Sequence, residues 1–187
     1  MHYRLLNKIC AITCLFMTMT LSQAATVSFN NSVSDINQGS VFFLTVQGVG
    51  FPDISGGGLN FSFDSSVLQI SSVTINESVF DFVPSTGELD NLAGSLINTS
   101  FNTFAGTNSS FDILTIEFEA IGLGSSSLLM SESSMFPFAD AIGNTIGSTI
   151  TYEAATVNVS AVPLPATLWL FSSGLIALIG FVRNNTA

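Results

Sequence analysis

The sequence predicts an all-β domain, a two-sheet sandwich or jelly roll of about nine short strands, flanked by terminal segments of different character. Three features carry that expectation. In the middle of the chain apolar residues alternate with polar ones, which is the period of a strand and not of a helix. Clusters of Gly, Asn, Ser and Pro interrupt the alternating stretches at short intervals. Between them there is no amphipathic helix, internal repeat or long linker.

Taken in order, Thr26 to Asn30 and Val41 to Val49 are the first strand candidates, parted by turn chemistry at Asn37-Gln38-Gly39. Ser55-Gly56-Gly57-Gly58 reads as the next turn. Leu59, Phe61 and Phe63 then alternate with Asn60, Ser62 and Asp64, sending one face to a core and one to water. Leu68 to Ile75 and Val79 to Val83 follow, and Pro84-Ser85-Thr86-Gly87 closes them. Ser95 to Asn102 is bounded by Gly106-Thr107-Asn108. Leu114, Ile116, Phe118 and Ala120 alternate with Thr115, Glu117 and Glu119. Ser126 to Met130, a turn at Ile142-Gly143-Asn144, and Thr156 to Ser160 complete the series. Fourteen of the seventeen Phe residues lie between Phe29 and Phe138, so the core is expected to be built largely of Phe. A minority could instead form an exposed apolar patch or a platform for sugars. With Tyr152 the single Tyr and no Trp in this region, sugar stacking has the weaker claim, because Phe lacks a polar handle.

The ends read differently. A positive stretch to Lys8, an apolar run from Ile9 to Leu21 and Ser22-Gln23-Ala24 predict a secretory signal peptide over residues 1–24, cut after Ala24. Val162 to Val182 is apolar apart from its prolines, Thr167, Ser172, Ser173 and Gly174, and Arg183 follows. That length suits one membrane-spanning helix at about residues 165–183, with the preceding domain facing outward. Residues 25–160 then form one domain with a full core.

Charge excludes much of chemistry. The chain has three Lys and Arg residues, Arg4, Lys8 and Arg183, and its one His and two Cys are His2, Cys10 and Cys14. All thirteen Asp and Glu residues fall within residues 25–160, which contain no Lys, Arg, His or Cys. Serine catalysis lacks a His or Lys base, and cysteine catalysis and His/Cys zinc sites lack their ligands. Nucleic-acid binding lacks any cation to meet phosphate. A carboxylate pair of the glycosidase sort, such as Glu117 with another acid, is the one enzymatic option, but Glu117 and Glu119 read as the wet face of a strand. Non-enzymatic binding is therefore expected. Calcium takes carboxylate and amide oxygens, and Asp140 with Asn144 forms a partial site of that type. The alternative at these two residues is an Asx-type turn with no ion.

Two resemblances sharpen the reading. Leu59-Asn60-Phe61-Ser62-Phe63-Asp64-Ser65-Ser66-Val67-Leu68, running on to Val73, resembles the cohesin pattern of strand, Tyr/Phe-Asp-Pro-Ser-x-Leu and strand, with Ser65 where the family often has Pro. Asp64 can cap that turn while Leu68 enters the core. Phe111 to Ala120, then Gly122 to Leu128, resemble the family's late core strand and the Gly/Ser turn after it, and Phe136 to Ile146 with Ala154 to Val159 resemble its closing Asp-x-x-Gly-Asn hairpin and final strand. The resemblance implies a cohesin-like jelly-roll sandwich and a dockerin-like protein partner. Cohesin-like domains also occur in proteins of carbohydrate binding and polysaccharide breakdown, which leaves a carbohydrate-binding protein as the alternative. The tail over residues 161–187 resembles a PEP-CTERM sorting signal in the form Val162-Pro163-Leu164-Pro165, with Arg183 alone in place of a basic cluster. That resemblance implies recognition by an exosortase-type membrane enzyme, and display at the cell surface or release into an exopolysaccharide matrix. Pro163 and Pro165 would hold the chain extended at the membrane surface for such an enzyme.

Overall fold

Alternation is realised most fully in Val41–Val49, where Phe42, Leu44, Val46 and Gly48 are buried and the residues between them are not. The computed structural model describes residues 24–30, 35–107, 109–163, 167, 170, 171 and 173–175. Among these the strands are β1 (Ala25–Phe29), β2 (Asp35–Asn37), β3 (Val41–Val49), β4 (Ile54–Gly57), β5 (Leu59–Ser62), β6 (Leu68–Ile75), β7 (Phe82–Ser85) and β8 (Glu88–Asp90). They continue with β9 (Ser95–Ile97), β10 (Ser100–Asn102), β11 (Ser110–Ala120), β12 (Gly124–Glu132), β13 (Ala139–Asp140), β14 (Ile150–Tyr152) and β15 (Ala155–Ser160).

The strands form an all-β sandwich. One layer is a five-stranded sheet in the order β14-β1-β3-β11-β6. Opposite it runs a six-stranded sheet, β2-β15-β12-β5-β9-β8, extended by a four-stranded one, β13-β4-β10-β7. Leu44, Val46, Ile116 and Phe118 from the first layer share one core with Leu59, Phe61, Leu96, Leu128 and Val157 from the second. Aromatic rings bridge the layers: Phe29 meets Phe61 at 6.4 Å and Phe63 meets Phe118 edge-on at 5.9 Å. Nine Phe residues are buried, namely 42, 51, 61, 63, 80, 101, 111, 118 and 138, as a Phe-built core requires. Each such ring contributes roughly 1.5–3 kcal/mol by leaving water.

Where about nine strands are expected, fifteen are present among the described residues: β2, β8, β13 and β14 are short strands of two or three residues that alternation does not signal, and three of the expected readings change. Ser55 to Gly58 is no turn: Ile54–Gly57 is a strand, and its glycines admit neighbours that side chains would exclude. A Cβ on Gly57 would lie 2.7 Å from ring carbons of Phe138, and one on Gly58 2.7 Å from Cβ of Phe136. Ser95 to Asn102 is two strands, broken at Asn98, whose φ of 59° is one that Asn tolerates better than most residues. Val79 to Val83 shifts to Phe82–Ser85, because the backbone N–H groups of Val79 and Phe80 turn back to the carbonyl of Asn76.

Thr99 repairs the break between β9 and β10. Fully buried, its hydroxyl accepts from Leu59 N (3.0 Å) and donates to Leu59 O (2.9 Å), standing in for a ladder pair beside the bend at Gly58. Asn91 acts similarly at the edge of β6, where its side-chain amide pairs with both N and O of Ile70 at 2.8 and 2.9 Å. Such a cover protects an otherwise open strand edge.

Residues 1–23 of the expected signal peptide lie outside the described residues, and Ala24 is exposed directly before β1. Among the described residues no helix is long and apolar enough to cross a membrane. Most of the span expected at about 165–183 lies outside them, as do Leu164 and Pro165.

Thr99→Val should lower unfolding stability by about 1–3 kcal/mol in a denaturant titration, since it removes the hydroxyl that accepts from the Leu59 N–H, while Leu59 O keeps only the Thr99 backbone N–H at 3.2 Å. Thr99→Ser should recover most of the loss. Equal stability in all three proteins would show that the hydroxyl does not repair the sheet.

Candidate functional site

A strand with one buried face must put every second residue on the other, so register alone assembles the outer surface of the six-stranded sheet. Ser62 stands opposite Leu129 on β12 and Ser95 on β9. One row on, Asn60 stands opposite Ser131. On β15, Thr156 and Asn158 pair with Ser127 and Ser125. Asp35 stands at the β2 edge, and Glu88 and Asp90 at the β8 edge. The result is a wide face of Ser, Thr and Asn, acidic at both margins.

Two apolar side chains break the polar field. Leu129 is 52% exposed and Ile97 40% exposed. They line a shallow depression of about 410 Å³ together with Asn60, Ser62, Ser95 and Ser131. Its floor is stiff, because Asn60 is held at both ends of its amide. Oδ1 accepts from Asn98 N at 2.8 Å, and Nδ2 donates to Glu132 O at 3.2 Å. Exposed apolar anchors in a rigid, uncharged patch suit a protein contact, whereas a reaction would need an acid, base or nucleophile there.

Most of the other carboxylates hold structure together. Glu117 accepts from Ser72 Oγ at 2.8 Å and Glu119 from Gln69 Nε2 at 2.7 Å, both on the outer face of the five-stranded sheet. Asp64 caps its turn through Ser66 N (2.9 Å) and Ser66 Oγ (2.6 Å), and Leu68 is buried beyond it. These bonds, the side-chain one foremost, hold the Asp64 carboxyl below its ordinary value of 3.8. Glu132 accepts from Phe138 N at 2.7 Å. Burial, and then the nearby Glu132 charge, push the Tyr152 hydroxyl well above the usual phenol range.

The structure brings Asp140 and Asn144 together. Asp140 Oδ2 accepts from Asn144 Nδ2 at 3.0 Å, while Oδ1 accepts from the backbone of Asn144 (2.8 Å) and Ile142 (3.1 Å). The Asn144 side chain is the largest cause of a lowered Asp140 pKa. This is the geometry of an Asx turn closing a hairpin, with Asp140 N bonded to Asn144 O at 2.9 Å. Among the described residues no group of three or more His, Cys, Asp or Glu gathers for a metal. One carboxylate and one amide fall short of the six to eight oxygens calcium takes, so an ion there would draw mainly on backbone and water. Of the sorting residues, Val162 and Pro163 are exposed just beyond β15, and Leu164 and Pro165 lie outside the described residues.

No family model and no curated relative matches the sequence. Solved structures do match the fold. A type II cohesin domain from the cellulosome of Acetivibrio cellulolyticus superposes with a TM-score of 0.61 at 17% identity, covering 73% of this chain and 96% of that one. A non-cellulosomal cohesin from the archaeon Archaeoglobus fulgidus gives 0.60 at 14% identity, over 74% and 93%. A type I cohesin-dockerin complex from Clostridium thermocellum gives 0.58 at 12% identity, over 74% and 100%. The domain therefore has a cohesin-like fold, as the motif around Asp64 implies.

Because the Asp64 and Asp140 carboxyls sit below 3.8 in the fold, each adds stability above that pH and loses it as pH falls through the lower folded-state value. Asp64→Ala and Asp140→Ala should lower the melting temperature near neutrality, and the gap to the parent should narrow in acid. A gap unchanged by pH would contradict the charge-assisted caps. Calcium and magnesium should shift the melting temperature equally, as screening does. A rise specific to calcium that Asp140→Ala abolishes would mark a seated ion.

Proposed function

We propose that this chain is a non-enzymatic binding module that grips a dockerin-like protein with the outer face of its six-stranded sheet. One observation carries the reading: on a cohesin-like fold, a rigid polar sheet face presents Leu129 and Ile97 to solvent around a shallow depression. The cohesin-dockerin complexes among the solved neighbours support a protein as the partner class. Composition supports the absence of catalysis, because residues 25–160 hold no base or nucleophile pair outside the carboxylates.

The same proposal places the module outside the cell. A signal peptide over residues 1–24 is removed after Ala24, which agrees with β1 beginning at Ala25. Residues 161–187 are a sorting tail in which an exosortase-type enzyme grips Val162-Pro163-Leu164-Pro165, and residues 165–183 span the membrane until processing. Exposure of Val162 and Pro163 past the last strand supports access to that motif. Surface display or release into an exopolysaccharide matrix follows.

A second reading, carbohydrate binding, is favoured by one feature. Phe82 and Phe104 are 51% and 86% exposed, with ring centroids 6.3 Å apart, and Asn102 stands opposite Phe82 in the sheet. Adjacent exposed rings beside an amide are a surface on which a sugar could stack. Selective binding on a glycan array that Phe104→Ala abolishes would favour this reading over the first.

Calorimetric titration with dockerin modules of the type I and type II groups tests the leading reading. A binder should be found, and Leu129→Glu with Ile97→Glu should weaken it by about 30-fold or more, the effect of losing a central anchor. Phe43→Ser on the opposite sheet should leave affinity unchanged. Absence of binding across the panel, or equal weakening by both changes, would contradict the assignment.

A further inference from the structure

The chain enters and leaves the sandwich at opposite ends. Thr26 pairs with Val49, so the entry lies beside the loop leading to β4. Ser160 pairs with Asn37, and Val159 with Gly124, so the exit lies beside the tip of the loop that carries the chain from β11 in one sheet to β12 in the other. That tip is Ile121-Gly122-Leu123-Gly124. Leu123 is 57% exposed and Ile121 38%. Val41, 52% exposed, sits beside Glu119, two residues before Ile121, and Val162, 59% exposed, follows the last strand.

The tip is built rigidly. Ile121 N and Gly122 N both donate to Val67 O, at 2.9 and 3.1 Å. Gln38 joins the tip to the exit, because its side chain donates to Ile121 O at 2.8 Å while its backbone donates to Ser160 O at 2.9 Å. Apolar side chains on a mobile loop would need no explanation, but a fixed tip that turns Leu123 and Ile121 outward has a shape that another apolar surface can match.

Chain length identifies that surface. Between Ser160, the last residue of β15, and Pro165 lie only five steps of chain, at most roughly 18 Å when fully extended. On the reading that residues 165–183 cross a bilayer, Ser160 cannot stand farther than that from the start of the span, which keeps the neighbouring loop tip on the lipid side of the domain. We infer that the Ile121 to Gly124 tip, with Val41, seats the domain on the lipid surface beside its own membrane segment. The eleven residues of β11 then raise the opposite end by roughly 35 Å, and the outer face of the six-stranded sheet stands side-on to the membrane, open to a partner. The nearby carboxylates Asp64 and Glu119 make an uncharged, zwitterionic surface the matching one, because anionic lipid would repel them.

The inference rests on the membrane reading of the tail, and one experiment separates the two. The full chain, with Cys10→Ser and Cys14→Ser, carries a single reporter cysteine at Leu123→Cys or, as a control at the far end, at Ile142→Cys. Each protein is labelled with a fluorophore and reconstituted in phosphatidylcholine vesicles containing a lipid with a quencher at the headgroup. The expected result is flotation with the vesicles, with quenching at 123 several-fold greater than at 142. Flotation with equal quenching at both positions overturns the seating alone. A label at 123 shielded from aqueous iodide yet untouched by the lipid quencher also overturns it, since the tail or a second copy then covers the tip. Failure to float overturns the membrane reading and the seating with it.

Discussion

Between residues 25 and 160 there is no positive charge, and the rest of the molecule follows from that. Thirteen carboxylates cannot be paired with cations, so they must be satisfied by N–H and O–H donors or by water. At least eight accept such bonds: Asp53, Asp64, Asp81, Asp90, Glu117, Glu119, Glu132 and Asp140. Most of the donors are backbone amides in turns. The acids thereby serve as turn-formers, fixing the bends that let short strands alternate between two sheets. Asp53 shows the economy of the device: its carboxylate takes Thr107 N at 2.7 Å while its carbonyl takes Ala141 N at 3.0 Å, tying three loops together.

The same constraint decides what the surface can do. With acids committed to turns and sheet margins, the centre of the six-stranded face is left to Ser, Thr, Asn and two apolar anchors. Such a face can exclude water and match a shape, and it has no group with which to transfer a proton at neutral pH. Stability must come from elsewhere, and the Phe core supplies it. Rings such as Phe80 and Phe101, 4.6 Å apart, pack where a salt-bridged protein would spread its contributions over the surface.

Strand existence was legible because alternation is strict along β3 and holds through most of β11, interrupted there only at Ile113 and Leu114 where the register shifts. It failed where tertiary contact overrode local chemistry. A run of three glycines signals a turn in isolation, and only the ring of Phe138 lying across Gly57 makes it a strand. The break at Asn98 is likewise invisible without Thr99 and Leu59 facing each other. The Asp64 and Asp140 turns were readable because their partners are two to four residues away. The proposed binding face was not read, although a signal for it existed. Leu128, Leu129 and Met130 are consecutive, and in a strand buried on one side the middle residue must face water. The same argument applies to Ile97 after Leu96 and to Phe43 after Phe42.

Entry at one end and exit at the other give the sandwich a direction, and the proposed binding face runs along it. The measurement that bears most directly on the proposed role is amide hydrogen exchange of the full chain, free and with a bound dockerin module. Exchange should slow in residues 59–62, 95–97 and 124–132 and stay unchanged in residues 41–49 and 110–120. Protection confined to the second set would place the partner on the opposite sheet and contradict the assignment of the face.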